Sequence, residues 1–245
     1  MANTYFQFKQ FTIHQDRCAM KVTTDACLFG AWVAGAVERQ QSAVASVLDI
    51  GTGSGLLALM LAQKTSGEID CVEIDENAAK QARENANASP WKGRIFVLPG
   101  DAKTMVETFS KDFNVIISNP PFYEKELRSS STTKNIAHHS ESLTLDELLN
   151  IIKNYLTQDG SFFLLLPYKR NEEIKKLFRD HQLHIAEMIF VRQSVKHDYF
   201  RIMIKGKLHQ REEEETIFDE MSIWDDQQQY TPAFKGLLQD YYLHL

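Results

Sequence analysis

No run in the 245 residues approaches the roughly 18 apolar positions that a membrane-crossing helix needs, so an integral helical membrane protein is not expected. The opening Met1-Ala2-Asn3-Thr4-Tyr5 lacks the basic and apolar regions of a secretory leader, which makes a cytoplasmic chain the expectation. Cysteine is scarce: Cys18, Cys27 and Cys71 are odd in number, show no Cys-x-x-Cys spacing and sit in or beside apolar stretches. They read as reduced packing residues, with no metal site and no disulfide. There is no internal repeat. There is also no excess of basic charge. The net charge of −6 argues mildly against a nucleic-acid partner, because phosphate neutralisation normally supplies much of the affinity. The distribution is less even than the sum. Acids crowd into Glu212–Glu215 and Asp219-Glu220, while Lys125, Arg128 and Lys134 punctuate one loop and Arg192, Lys196, Arg201, Lys205, Lys207 and Arg211 punctuate another region. Both a basic face and scattered solvated charge fit that pattern.

What is present is an ordinary globular composition, 43% hydrophobic and 24% charged, on a chain long enough to bury one sizeable core. From residue 45 onward, short β-branched runs alternate with segments of helical period, the pattern of a parallel sheet flanked by helices. Strands are expected at Ala45–Ile50, Ile69–Ile74, Arg94–Leu98, Asn114–Ser118, Ser161–Pro167, Ile185–Val191 and Tyr199–Lys205, with helices near Gly55–Gln63, Glu76–Ala88, Leu143–Leu156 and Asn171–His181. Asp75 and Thr144 are placed as N-caps. Only Arg192–Asp198 separates the last two strands, too short for a crossover, so they should pair antiparallel. The prediction is an α/β fold: a seven-stranded, mostly parallel sheet with helices on both faces and a final antiparallel hairpin. Ahead of it, Tyr5–His14 reads as an edge strand and Asp25–Val37 as a helix that lids a cofactor. After it, Leu208–Tyr230 reads as a flexible connection and Thr231–Leu245 as a terminal helix. The expected organisation is one domain over 1–206, with an N-terminal lid at 1–40, and an extension at 207–245. A monomer is favoured.

The segment Val47-Leu48-Asp49-Ile50-Gly51-Thr52-Gly53-Ser54-Gly55 is an apolar strand running into a glycine turn and then a helix. Gly51 and Gly53 admit turn geometry and the close approach of a ligand. The third glycine of a dinucleotide fingerprint is missing, its place taken by Leu56, which counts against NAD. S-adenosylmethionine has no diphosphate to cradle and offers a charged amino acid end instead. Glu73, 22 residues beyond Gly51, is spaced to meet a ribose. At the third strand end, Asp101 offers a carboxylate to an adenine amino group and the Ala102 N–H a donor to a ring nitrogen. Asp49, Gly51, Gly53, Glu73, Asp101 and Ala102 are therefore assigned to S-adenosylmethionine, with S-adenosylhomocysteine as product.

The fourth strand ends in Asn119-Pro120-Pro121-Phe122. As structure alone, the prolines would simply stop the strand. As chemistry, the Asn119 side-chain carbonyl and the Pro120 backbone carbonyl can each accept a hydrogen of a conjugated NH2 group. That aims its lone pair at a sulfonium methyl, with Asn119 also bordering the cofactor. Phe122 supplies a stacking face. A base buried in a stem would be out of reach, so the target should be unpaired or flipped. In the following loop, Tyr123–His139, the residues Lys125, Arg128, Lys134, His138 and His139 are candidates for the phosphates, although both histidines equally suit loop packing.

On these residues the chain resembles the class I, Rossmann-like S-adenosylmethionine methyltransferases that modify amino nitrogens. More narrowly it resembles the bacterial tRNA(Val) adenine-37 N6-methyltransferases, through Phe6-Gln7-Phe8-Lys9-Gln10-Phe11, Asp16–Asp25, Leu48–Gln63, Ser89-Pro90-Trp91 and Ile117–Phe122, covering most of 5–206. The resemblance implies a tRNA substrate, and it implies that Lys21, Thr24 and Asp25 belong to a segment folding over cofactor and substrate. One departure is Phe122, where many relatives carry Tyr; stacking survives it but a hydroxyl contact does not. The same Asn-Pro-Pro-aromatic chemistry serves the N5 amide of a release-factor glutamine or the guanine N2 of ribosomal RNA, so these are the rival substrates. An NAD-dependent oxidoreductase and a non-catalytic RNA-binding module are the rivals from other classes.

Overall fold

The computed structural model of the protein describes residues 3–40, 44–120, 143–208 and 215–245. Its strands are β1 (Tyr5–Gln7), β2 (Thr12–His14), β3 (Ser46–Ile50), β4 (Glu68–Glu73), β5 (Ile95–Pro99), β6 (Phe113–Ser118), β7 (Leu156–Pro167), β8 (Leu183–Ser194), β9 (Tyr199–Leu208) and β10 (Ile217–Trp224). Its helices are α1 (Thr24–Glu38), α2 (Leu56–Ala62), α3 (Glu76–Ala88), α4 (Ala102–Met105), α5 (Leu145–Tyr155), α6 (Asn171–Asp180) and α7 (Pro232–Leu238).

Eight strands form the central sheet in the order β10-β8-β9-β7-β6-β3-β4-β5. All neighbours are parallel except β9, which runs antiparallel to β7 and β8 and so makes the expected hairpin. The parallel strands are covered on both faces, which is why they read as near-continuous apolar runs. Val47, Ile69, Val115 and Phe163 face a core shared with α1, α2, α3 and α7, while Leu48, Val72, Ile116 and Leu164 face a second core under α5 and α6. Connections leave β3 toward β4 on one side and return to β6 on the other. The strand order thus reverses between β3 and β6, and the crevice at their carboxyl ends is where such sheets receive ligands.

The seven expected strands are all present, and Asp75 and Thr144 cap α3 and α5 as read. The eighth, β10, lies inside the stretch read as a flexible connection and pairs parallel with β8. Only Met221 and Ile223 of its eight residues reach the core, so its acidic, exposed half concealed the alternation. Tyr5–His14 is likewise a separate hairpin of β1 on β2 and not an edge of the main sheet. Helix α1 is apolar nearly all round and buries eleven residues from Ala26 to Val37, which makes it part of the body. The terminal helix is shorter than expected, capped by Thr231 and ending at Leu238. No described helix is long and apolar enough to cross a membrane.

Candidate active site

Strand β3 delivers Asp49, fully buried, to the base of the glycine turn. Gly51, Gly53 and Gly55 take φ of +73°, +56° and +84°, the left-handed region that L side chains resist. A Cβ built on Gly51 or Gly53 would meet nothing within 4 Å, whereas one on Gly55 would touch Ala82 of α3 at 3.4 Å. The third glycine therefore serves helix packing, and the first two face open space above the sheet edge.

Glu73, at the tip of β4, closes that space from the side. Its carboxylate accepts from the Gly53 N–H at 2.8 Å and from the Asp75 N–H at 3.0 Å, leaving each oxygen lone-pair capacity for another donor. Asp75 itself accepts from the Ala78 N–H at 2.7 Å, the cap expected of it. Beneath them, Asp49 Oδ2 accepts from the Thr52 hydroxyl at 2.6 Å, but Oδ1 has no hydrogen-bond partner. Burial pushes the Asp49 carboxyl up to about 7; the Thr52 hydroxyl opposes this, and the negative charge of Glu73 adds to it. Gly100 N–H, bonded to the Glu73 carbonyl at 2.8 Å, ties the β5 exit to the same edge. Asp101 there caps α4, accepting from the Lys103 N–H at 2.9 Å, with the Lys103 ammonium 3.5 Å away, and Ala102 is buried behind it.

On the other side of β3, Ser118 Oγ donates to the Ile50 carbonyl at 2.7 Å and pins the β6 tip to the β3 tip. Asn119, half-buried, and Pro120, buried, follow at once. The structure thus brings Asp49, Gly51, Gly53, Glu73, Asp101, Ala102, Asn119 and Pro120 to one edge of four adjacent strands. Pro121, Phe122, Lys125, Arg128, Lys134, His138 and His139 lie outside the described residues.

The N-terminal segment sits against this edge. The Cys18 thiol is pushed up to about 11 by burial, against the pull of Lys21, with Glu73 and Asp75 adding to the rise. The Lys21 ammonium is held by the carbonyls of Gln15 and of Cys18, the latter at 3.0 Å, and so shapes its own loop. Thr24 is exposed at the first turn of α1, and Asp25 pairs with Arg201 at 2.7 Å. Two residues that the sequence reading missed organise this segment. Buried Gln15 accepts from the Val22 N–H at 2.7 Å and donates to the Asn3 carbonyl at 2.9 Å. Buried Asn85 of α3 accepts from the His14 N–H at 3.0 Å and donates to the carbonyls of His14 and Ser54 at 2.8 and 2.9 Å, clamping the hairpin onto the glycine turn. No sequence signal singles Asn85 out, because α3 also carries Asn77, Gln81 and Asn87. Of the cations that a basic face would use, Arg201 is paired with Asp25 and Arg192 with Glu220 at 3.3 Å, Lys205 and Lys207 also have partners, and Arg211 lies outside the described residues. Among the described residues no cluster of His, Cys, Asp or Glu is arranged to hold a metal.

These residues fit S-adenosylmethionine. An unpartnered carboxylate oxygen on Asp49 suits a cationic ligand, the glycines leave room that a Cβ would take, and Glu73 retains acceptors for hydroxyl groups. Comparison with known proteins agrees. Residues 36–190 match the methyltransferase small domain family. The protein named tRNA1(Val) (adenine(37)-N6)-methyltransferase from Pectobacterium carotovorum is 38% identical over 98% of this chain and 94% of its own. Those of the same name from Christiangramia forsetii and Bacteroides thetaiotaomicron are 36% and 37% identical over the whole of both chains. Among solved structures, a predicted O-methyltransferase from Agrobacterium tumefaciens superposes with a TM-score of 0.66 at 17% identity, covering 88% of this chain and 96% of its own. A putative RNA methyltransferase from Pyrococcus horikoshii superposes with a TM-score of 0.53 at 18% identity, covering 78% and 83%. Such low identities speak for the fold alone, but the sequence relatives go further: the chain belongs to the methyltransferase small-domain family, in the group whose full-length relatives are the tRNA1(Val) (adenine(37)-N6)-methyltransferases.

Proposed function

We propose that this protein transfers a methyl group from S-adenosylmethionine to the exocyclic N6 of adenine-37 in tRNA(Val), in the cytoplasm. The observation that carries the reading is the juxtaposition of the Gly51–Gly53 turn with Asn119-Pro120 across the β3–β6 switch point.

The cofactor, when bound, supplies an electrophilic methyl on a sulfonium. Gly51 and Gly53 leave space for it, the buried Asp49 carboxylate adds negative charge beneath the turn for the cationic amino acid end, and Glu73 accepts from the ribose hydroxyls. Asp101 and the Ala102 N–H address the adenine ring, although Asp101 does so with the lone pairs left over from capping α4. Lys21, Thr24 and Asp25 lie in the segment that covers the site. Asn119 and the Pro120 carbonyl hold the two hydrogens of the target amine and turn its lone pair outward, so positioning replaces a strong base. From the sequence, Pro121 stiffens this turn and Phe122 stacks on the adenine. Lys125, Arg128, Lys134, His138 and His139 are assigned to the RNA backbone.

Asn119→Ala is expected to reduce methyl transfer by at least about a hundredfold, the order attached to losing a positioned group, while the thermal shift on adding S-adenosylmethionine is retained. Mass spectrometry of tRNA nucleosides from cells with and without the protein should show N6-methyladenosine lost in its absence. Unchanged nucleosides, or methylation of a release-factor glutamine or ribosomal guanine instead, would overturn the substrate.

A further inference from the structure

Strand β9 carries Arg201 to the rim of the sheet beside the methyl-transfer edge. In the β6–β7 and β7–β9 registers, Ser118 is level with Leu164 and Ile204, so Asn119 is level with Leu165 and Met203. Arg201 lies two residues nearer the rim, opposite Pro167. It also lies on the same face of the sheet, because Ile117 and Met203 both enter the core shared with α1, and Asn119 and Arg201 each stand two residues from one of them. We propose that the Arg201 guanidinium, held by Asp25, binds a phosphodiester of the tRNA beside the target adenine; the inference rests on the proposed tRNA activity.

Three observations carry it. The first is distance. Two strand spacings of about 4.8 Å and two residues of rise at about 3.3 Å put the Cα of Arg201 roughly 12 Å from that of Asn119. Once the length of the arginine side chain is allowed for, that interval matches the span of one nucleotide from the amine edge of its base to its phosphate. The second is the chemistry of the pair. Arg201 Nε donates to Asp25 Oδ2 at 2.7 Å, which commits one of the five guanidinium donors and fixes the plane of the remaining fork. Such a fork suits two phosphate oxygens at once. Lys21 and Lys103 differ: the first is held by two carbonyls of its own loop, and the second stands 3.5 Å from the carboxylates of both Asp101 and Glu147. The third is exposure. The Arg201 side chain is 37% exposed and that of Asp25 is 13%, so the acid is the sheltered member of the pair and the cation the accessible one. The alternative role for the pair is a latch on α1. That helix already buries eleven residues, and an ion pair open to water adds little to such packing.

In the full-length enzyme, Arg201→Gln removes the charge but keeps a side chain able to bond Asp25. It should raise the KM for a tRNA(Val) transcript about tenfold and lower the slope of log KM against log salt by about 1, with kcat, melting temperature and the affinity for S-adenosylmethionine retained. Arg201→Lys keeps the charge and loses the fork, so the salt slope should return while KM stays above that of the wild type. Replacing the phosphodiesters of the anticodon loop one at a time by uncharged methylphosphonates should reveal one linkage beside the target whose neutralisation penalises the wild type but not Arg201→Gln. An unchanged KM and slope, or the same methylphosphonate penalties in both proteins, overturns the contact while leaving the methyltransferase reading intact. So does a variant whose melting temperature and S-adenosylmethionine affinity fall together with its affinity for the transcript, which would make Arg201 a latch for α1. A wild-type enzyme that methylates no tRNA overturns both.

Discussion

Burial raises the Asp49 carboxyl to about 7, against about 4 for an exposed aspartate, so between those values the folded chain binds a proton that the unfolded chain has released. Stability from this group is therefore greatest below about pH 4 and falls as the pH climbs toward 7. Asp49→Asn should remove that slope, so that the variant gains stability relative to the wild type between pH 5 and 8, read by thermal unfolding. A cationic ligand favours the charged carboxylate, so the affinity of the wild type for S-adenosylmethionine should strengthen over pH 6 to 8; a flat profile in titration calorimetry would rule the linkage out. At Gly53, whose φ is +56° and whose missing Cβ faces open space, alanine is expected to cost about 1 kcal/mol of stability and to weaken cofactor binding far more than that strain explains. The glycine turn, Glu73 and Asn119 were legible in the sequence because each sits at the end of an apolar run and so declares its own position. Asn85 was not legible, since the groups it joins, His14 and Ser54, stand 71 and 31 residues away.

Caps and turns behave in the same local way. Thr144 forms a capping box with Glu147 at the start of α5, and Asp75 starts α3; both were readable because the chemistry is confined to one turn. At the other end of α6, Gln182 takes φ +57° where a glycine is usual, and Gln182→Gly should raise stability by about 1 kcal/mol in chemical denaturation. Asn85→Ala would strand the His14 N–H and two carbonyls and should cost about 2 to 3 kcal/mol, with early loss of amide-exchange protection at His14. Strand β10 escaped the sequence reading for a different reason. Of its residues only Met221 and Ile223 are buried, while Ile217 and Phe218 are 63% and 60% exposed, so the pattern that marks a buried strand was absent from half of it.

Across the molecule, the stretch read as an extension is built into the body. Tyr241 is buried and donates its hydroxyl to the Met60 carbonyl at 3.0 Å, and its own carbonyl accepts from the Lys9 N–H at 2.8 Å. Tyr242 packs beside Phe6 and Phe8. Deleting residues 217–245 would bare the β8 edge and the core around Phe234 and Leu238, and should convert a cooperative unfolding transition into aggregation, visible by light scattering. This closure joins segments that are remote in sequence. The β1–β2 hairpin is fastened by Tyr241 and Tyr242, whose partners Lys9 and Phe6 stand more than 230 positions away. Contacts of such long separation form late, after the loop between them has been closed, so a refolding chain should wind its parallel strands before this N-terminal hairpin is seated.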